Sequence, residues 1–276
     1  MPILNAVFYG ILQGLTEFLP VSSSGHLALL RAILGDFAGS ESFLTFEVLL
    51  HVPTLLAVML GCRKQIALLF DAFALTVRQL WTRTFRFRSA TPGQRLLGML
   101  ILATLPMTAI LPLRDRLEFL YGDARIVCVL LLLNGLMLLR FGGARGSRTL
   151  EQMRGEDALH VGMCQMMAVL PGLSRSGCTV SAGLSRGIRQ EDALQFSFLL
   201  SIPTVGGAFV CELPSLLAEP PAACDLFSLA MGMCAALLAG LCAIWLLHWT
   251  AKKAKFSLFG WYCILAGSVS LLLQFL

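Results

Sequence analysis

The sequence predicts an all-α, polytopic integral membrane protein with six transmembrane helices and two re-entrant helical hairpins, arranged as an inverted-topology repeat. The composition is the first observation: 57% of the 276 residues are hydrophobic, 13% are charged, and the mean hydropathy is +0.79. Soluble domains of this size are less apolar and carry more charge. The other two observations are a series of long apolar runs and a pair of similar polar turns set among them.

The transmembrane helices are predicted from apolar runs of about the ~17–25 residues that cross a bilayer. They lie near residues 44–61, 96–113, 125–141, 193–213, 226–248 and 256–275. The segment 65–81 carries Asp71, Arg78 and Gln79 among its apolar residues. We therefore expect an amphipathic or partly inserted helix there, and no seventh span.

The distribution of charge orients these helices. Lys and Arg concentrate in 62–95, 140–154 and 252–255, whereas the connections 36–43 and 212–225 contain acids and no Lys or Arg. Basic loops stay on the cytoplasmic side of a membrane. The sequence thus predicts a cytoplasmic basic loop at 62–95, and the net charge of +5 needs no nucleic-acid partner to explain it.

Two polar turns indicate an internal duplication. LPVSSSGH begins at Leu19 and LPGLSRSG begins at Leu170, with Gly25 of the first aligned on Gly177, 152 residues later. Two ordered stretches at nearly one offset predict repeats of about 1–141 and 155–276. Three spans in each half invert the second copy, so the two hairpins enter from opposite faces and their tips meet near the midplane.

The first turn follows a helix that carries a buried carboxylate. Gln13 and Glu17 are four residues apart and share a helix face, and Pro20 ends that helix. Three serines then stand where a new helix is expected to begin: Ser22, Ser23 and Ser24. Free N–H groups at such an end attract phosphate. The alternative is that the serines only cap the helix.

The second turn adds a guanidinium group among hydroxyls. Arg175 stands at an expected helix start and is suited to grip phosphate oxygens. The hydroxyls around it are Ser174, Ser176 and Thr179. The alternative is an internal ion pair of Arg175 with Glu17 or Glu47. Glu47 itself is either a second carboxylate at the site or a helix-end residue, and His51 is interpreted as a packing or interfacial histidine.

These motifs resemble those of a known family. Gln13-x-x-x-Glu17 followed by Phe-Leu-Pro-Val-Ser-Ser-Ser-Gly-His26, and Pro171-Gly-Leu-Ser-Arg175-Ser-Gly-Cys-Thr179, are similar to the two signatures of the undecaprenyl-diphosphate phosphatases of the bacitracin-resistance type. The resemblance implies a multi-pass enzyme of the bacterial inner membrane that removes the terminal phosphate of a polyprenyl diphosphate lipid. Its product is the lipid carrier recycled for peptidoglycan. The resemblance also implies a site that opens to the periplasm, and it is compatible with a homodimer.

The resemblance also assigns roles to residues. It implies functional positions at Glu17, Ser23, His26, Ser174, Arg175 and Thr179. We expect Ser23 to be the nucleophile, activated by Glu17 or His26, with the reverse assignment of His26 as nucleophile left open. Ser22, Ser24 and Ser176 are expected to bind the phosphate with the hydroxyls already named. A divalent cation, Mg²⁺ or Ca²⁺, is expected on Glu17, Gln13 and Glu47, since such ions take oxygen ligands.

A transporter is the competing class of function. Inverted repeats with broken helices also build transporters and flippases, in which the turns would bind an anionic lipid or small anion without hydrolysis. The two turns are unlike in chemistry, because Glu17, Ser23 and His26 in the first have no equivalents in the second. This asymmetry favours an enzyme.

Overall fold

The computed structural model describes most of the chain. The described residues are 2–34, 40–86, 89–113, 117, 120, 122–144, 146–218, 226–252 and 255–274, and side chains are described for all of these except 32–34, 40–47, 111 and 215–218. The predicted all-α class is confirmed within these ranges, where the backbone forms eleven α-helices and no strand. The Glu47 side chain lies outside the described part, so its predicted role stays a prediction.

The helices follow the apolar runs of the sequence. They are α1 (Ile3–Phe18), α2 (Ser23–Leu34), α3 (Ser40–Gly61), α4 (Arg63–Trp81), α5 (Pro92–Thr108), α6 (Ala124–Phe141), α7 (Gly155–Met167), α8 (Arg175–Ser185), α9 (Gln190–Ala218), α10 (Leu226–Lys252) and α11 (Ser257–Leu273). Short 3₁₀ turns lie at Leu111–Leu113 and Leu150–Gln152.

Among the described residues, three helices are long and apolar enough to cross a membrane: Ala124–Phe141, Gln190–Pro214 and Leu226–Lys252. A fourth span is formed if Val48–Gly61 and Arg63–Trp81, bent by 86°, count as one broken helix. These helices fit a multi-pass membrane protein. The predicted span 96–113 is shorter in the structure, because α5 carries Pro106 in its last turn and ends at Thr108.

The amphipathic segment predicted at 65–81 is helical and lies within α4. Its large apolar side chains are exposed, among them Phe70, Phe73, Leu80 and Trp81. Only Ala72 of this helix is buried. An exposed apolar surface of this kind suits contact with lipid.

Small residues bring the helices of each hairpin close to their neighbours. The first hairpin packs through α1 along α10, and the second through α7 along α5. A Cβ atom on Gly10 would collide with the carbonyl oxygen of Gly232, and one on Gly162 with that of Ala103. Membrane helices often associate in this way, through small residues that let backbones touch.

The hairpin turns lie where the sequence predicts them. In the first, α1 ends at Phe18 and α2 begins at Ser23, which confirms the expected helix start. In the second, α7 ends at Met167, and Ser174 caps α8 by accepting a hydrogen bond from the Gly177 N–H at 3.1 Å. Each turn therefore presents the N-terminus of a helix.

The two turns touch through glycine. A Cβ atom on Gly25 would lie only 2.9 Å from the Cα atom of Gly172. Gly172 has φ +108°, a conformation that side chains rarely adopt. The N-terminal ends of α2 and α8 are thereby held next to one another.

The buried carboxylate of Asp157 links the two helices of the second hairpin at their ends away from the turn. Asp157 accepts hydrogen bonds from Arg148 Nη2 at 2.6 Å and Arg186 Nε at 2.7 Å, and it caps its own helix through the Arg154 N–H. Burial raises the pKa of Asp157, but the hydrogen bonds from these donors outweigh it and hold the pKa at about 2. The carboxylate thus stays charged and ties α7 to the end of α8.

Candidate active site

Glu17 is the centre of a buried polar cluster. Its Oε1 accepts a hydrogen bond from Arg175 Nη2 at 2.7 Å, and its Oε2 accepts one from Ser23 Oγ at 2.9 Å. Gln13 Nε2 donates to the same Oε2 at 3.2 Å. The contact of the two turns thus joins residues 158 positions apart in the chain.

Arg175 uses only part of its guanidinium group in this cluster. Nη2 forms the ion pair with Glu17, whereas Nη1 is buried and has no hydrogen-bond partner in the described part of the chain. The ion pair that sequence reasoning kept as an alternative is therefore present. A guanidinium carries several donors in a fixed fork, so a nitrogen remains available for an anion.

His51 also belongs to this cluster, although the sequence predicted only a packing or interfacial role. Its Nδ1 lies 3.1 Å from Gln13 Nε2 and 3.9 Å from Glu17 Oε2. Sequence reasoning did not place His51 here, because the packing of α3 on α1 joins residues 38 positions apart, a contact that periodicity does not reveal.

His26 contacts the Ser22 main chain and Tyr262. Its Nδ1 lies 2.8 Å from the carbonyl oxygen of Ser22, and its Nε2 lies 2.8 Å from the hydroxyl of Tyr262 in α11. The His26 and Tyr262 rings are parallel, at 9°, with centroids 5.6 Å apart. Of the two activators expected for Ser23, the structure places Glu17 in contact with it. Sequence reasoning did not find Tyr262.

The other serines of the turns cap helices. Ser22 Oγ accepts a hydrogen bond from the Gly25 N–H at 3.2 Å and lies 3.5 Å from Ser24 Oγ. Ser174 Oγ caps α8 in the same way and lies 3.0 Å from Ser176 Oγ. The capping alternative for the first turn thus applies to Ser22. Ser174 caps a helix as well, and the predicted contact of both serines with phosphate stays a prediction.

Thr179 is directed toward α9. Its Oγ1 donates to the Arg175 carbonyl oxygen at 2.9 Å and lies 2.7 Å from Ser197 Oγ, which is buried. These contacts attach the first turn of α8 to α9. Its contact with Arg175 is to the main chain and not to the guanidinium group, and its predicted role in binding phosphate stays a prediction.

Asn134 joins the two turns and was not identified from the sequence. Its Nδ2 donates to the Pro20 carbonyl oxygen at 2.9 Å, and its Oδ1 accepts from the Ser174 N–H at 3.1 Å. The side chain is fully buried. One signal was available, since Asn134 is the one polar uncharged residue in the apolar run 125–141.

A cavity of about 140 Å³ adjoins Arg175. Its polar lining is His51, Gln165, Arg175 and Thr204, and its apolar lining is Met107, Ala168, Val169, Val205 and Ala208. Neither amide atom of the buried Gln165 has a hydrogen-bond partner among the described residues. Gln165 was not identified from the sequence either. It follows Gln13 by 152 residues, the offset that separates Gly25 from Gly177, and this offset was the available signal.

A larger cavity lies away from this cluster. It measures about 770 Å³ and opens between Arg95 of α5, the 3₁₀ turn Leu150–Gln152 and Arg189 beside α9. It shares no lining residue with the smaller cavity, and Arg189 is already paired with Asp192 at 2.7 Å. The chemistry of Glu17 and Ser23 thus lies elsewhere.

The oxygen atoms near Glu17 are compatible with a hard cation. Gln13 Oε1 is buried without a partner, and the Glu17 carboxylate is adjacent. Oxygen donors of this kind suit Mg²⁺ or Ca²⁺. Within the described residues no group of three or more His, Cys, Asp and Glu side chains is arranged to hold a metal.

Comparison with known proteins identifies the family. The sequence model of the family described as bacitracin resistance protein BacA matches residues 6–269. The chain is 36% identical to the undecaprenyl-diphosphatase of Desulforapulum autotrophicum, covering 100% of this chain and 99% of that protein. It is 38% identical to the proteins of that name from Methanobrevibacter smithii, covering 98% and 96%, and Alkaliphilus metalliredigens, covering 100% of both. With these matches and a Glu17, Ser23 and Arg175 cluster built from both motifs, the chain belongs to the bacitracin resistance protein BacA family.

Proposed function

We propose that this chain hydrolyses undecaprenyl diphosphate to undecaprenyl phosphate and inorganic phosphate. The activity returns the lipid carrier to peptidoglycan synthesis and confers resistance to bacitracin. The observation that carries the proposal is the Glu17 carboxylate, which holds the Ser23 hydroxyl at 2.9 Å and the Arg175 guanidinium at 2.7 Å. A base, a nucleophile and an anion-binding cation are therefore adjacent.

In the proposed reaction Ser23 Oγ attacks the terminal phosphorus of the lipid diphosphate, and Glu17 accepts the hydroxyl proton. The bond from that phosphorus to the bridging oxygen breaks, and undecaprenyl phosphate leaves. Water then hydrolyses the phosphoseryl intermediate, which releases inorganic phosphate and regenerates the hydroxyl. Glu17 suits the role of base because its Oε2 already accepts a hydrogen bond from Ser23.

The charge that develops on phosphate is stabilised by Arg175 and by the N-termini of α2 and α8. His26, held by Ser22 and Tyr262, acts as the acid in its imidazolium form, in which Nδ1–H stays on the Ser22 carbonyl oxygen and the Nε2 proton passes to the departing phosphate. Attack by His26 in place of Ser23 would require one of these two contacts to break.

A divalent cation would be held by Glu17 and Gln13, with Glu47 as a third ligand. When bound, Mg²⁺ or Ca²⁺ would neutralise phosphate charge as a Lewis acid. The support is the unpartnered oxygen of Gln13 next to the Glu17 carboxylate.

In the proposed membrane arrangement six helices span the bacterial inner membrane, and the two hairpins enter from opposite faces. The first helix of each predicted repeat packs on a helix of the other repeat, α1 on α10 and α7 on α5, and this correspondence supports a duplicated unit. The site opens to the periplasmic side, and the polyprenyl tail lies along apolar helix surfaces. Because one chain supplies Glu17, Ser23 and Arg175, a homodimer is not needed for catalysis.

Phosphate release by the purified protein in detergent tests this function. We expect Ser23→Ala, Glu17→Gln and Arg175→Ala each to lower turnover of a polyprenyl diphosphate by about 10²–10³-fold, as the loss of a group acting on the transition state does. Ser181→Ala is the matched control, since Ser181 is a buried serine of α8 outside the cluster, and it should keep its activity.

Two results would contradict the proposal. Binding of the lipid with no phosphate release in the presence of Mg²⁺ or Ca²⁺ would instead indicate a transporter or flippase. Trapped phosphate on His26, mapped by mass spectrometry, would overturn the assignment of Ser23 as nucleophile.

A further inference from the structure

We propose that the 140 Å³ cavity beside Arg175 binds one phosphoryl group and that the Gln165 carboxamide is a ligand of it. The group is either the terminal phosphate of the lipid or the inorganic phosphate released from it. The inference rests on the proposed function and adds a ligand that neither turn motif contains.

The burial of Gln165 is the first argument. Its side chain is 1% exposed, and neither the amide nitrogen nor the amide oxygen has a protein partner in the described ranges. Buried polar groups are nearly always hydrogen-bonded, since an unpaired one forfeits its hydration without compensation. A ligand in the cavity supplies the missing acceptor for the amide N–H groups.

The charge of the cavity is the second argument. Arg175 lines it and keeps Nη1 unpaired, while none of the described lining residues is Asp or Glu. The remaining walls include Met107, Val169 and Val205, so few lining groups compete with the guanidinium for a ligand. A lining with a guanidinium and no carboxylate favours an anion over a metal ion.

The size of the cavity suits a small ligand. Its volume of about 140 Å³ leaves room for a single tetrahedral oxyanion.

The comparison of the two repeats explains why Gln165 is unpaired. Gln13 in the first copy donates to Glu17, four residues later. Gln165 stands at the matching position of the second copy, but the residue four positions later is Val169. The second carboxamide has no carboxylate to contact and is left for a ligand.

Binding of inorganic phosphate tests the proposal without requiring turnover. Equilibrium dialysis with labelled phosphate is performed on full-length protein carrying Ser23→Ala, with and without Gln165→Met. We expect Gln165→Met to weaken phosphate binding at least tenfold, and Gln165→Glu to weaken it further, because the new carboxylate repels the anion and pairs with Arg175.

The matched control is Gln190→Met. Gln190 is a buried glutamine whose two amide atoms also lack partners, but it does not line the cavity. Its replacement should leave phosphate binding unchanged. Equal weakening by Gln165→Met and Gln190→Met, or no weakening by either Gln165 variant, would overturn the proposal.

Steady-state kinetics of active protein that keeps Ser23, with and without Gln165→Met, separate the two sources of the phosphoryl group. If the cavity holds the terminal phosphate of the lipid, Gln165→Met raises KM together with the inhibition constant of phosphate. If it holds only the released product, the inhibition constant rises and KM does not. Should the chain prove to have no hydrolase activity, the dialysis result still decides whether the cavity binds phosphate.

Discussion

The contact of His26 with Tyr262 shows how one residue sets the chemistry of another. The Ser22 carbonyl oxygen can only accept a hydrogen bond, so the His26 Nδ1 that lies 2.8 Å from it carries a proton. In the neutral ring Nε2 is then an acceptor, and it faces the Tyr262 hydroxyl at 2.8 Å. The Ser22 carbonyl thus fixes the tautomer of the ring, and Tyr262 holds its orientation.

We predict that Tyr262→Phe lowers kcat about tenfold with little change in KM, because the variant keeps ring stacking and loses one hydrogen bond, worth ~1 kcal/mol or more. The pH profile of kcat should also shift, since the hydroxyl contacts a titrating ring. Thermal unfolding, measured in parallel, should be unaffected. A kcat and a pH profile like those of the parent protein would contradict a positioning role for Tyr262.

Sequence reasoning reached some site residues and missed others for a physical reason. Glu17 and Arg175 stand out because a charged group within an apolar run is costly and so indicates a function. Tyr262 and His51 carry no such signal. An aromatic hydroxyl or a single imidazole in a helix is common, and only the packing of distant helices brings His51 to the Glu17 cluster and Tyr262 to His26.

At the scale of elements, α6 connects the two hairpin turns through Asn134. One carboxamide satisfies the Pro20 carbonyl group and the Ser174 N–H, both of which belong to irregular backbone. Backbone groups at membrane depth need protein partners because lipid offers none. Asn134 of α6 therefore gives these two backbone groups the hydrogen-bond partners that a regular helix would provide.

We predict that Asn134→Leu destabilises the protein by about 2–4 kcal/mol, because two buried backbone groups lose their partner. Thermal unfolding in detergent measures the change. We also expect kcat to fall more than KM rises, since the Glu17 and Arg175 geometry depends on the contact of the turns. Leu136→Ala, an exposed position on the same helix, is the control, and an equal effect of the two changes would refute this account.

Helix boundaries set by local chemistry were predictable. The start of α2 at Ser23 follows from Pro20 and the serines after it. The end of α5 at Thr108 was not predicted, because the apolar run continues to residue 113 while Pro106 interrupts the hydrogen bonds of the helix. Hydropathy measures the preference for lipid and does not report on backbone geometry.

At the scale of the whole molecule, composition alone predicted a membrane protein, and the all-α class is confirmed in the described ranges. The contact of the two turns was predicted from the internal repeat, which comparing the two halves of the chain reveals. The depth of each hairpin depends on how the longer helices pack around it. No local sequence pattern predicts that packing.

The inverted arrangement predicts the side of each connection. Reporter fusions in living cells measure it, with alkaline phosphatase active outside the membrane and green fluorescent protein fluorescent inside. We expect phosphatase activity for fusions after Gly122 and fluorescence for fusions after Gly143. Both glycines have open space around their Cα atoms, so fusion at either disturbs little packing. The reverse pattern, or one signal at both positions, would refute the six-span topology.

The glycine contact between the turns has a consequence for motion. Gly25 and Gly172 meet backbone to backbone, and no side chain lies between them to adjust. A close-packed contact of this kind transmits displacement and does not absorb it. We therefore expect the two turns to move as one rigid body during the catalytic cycle, with the opening and closing around a lipid carried by the longer helices that surround them.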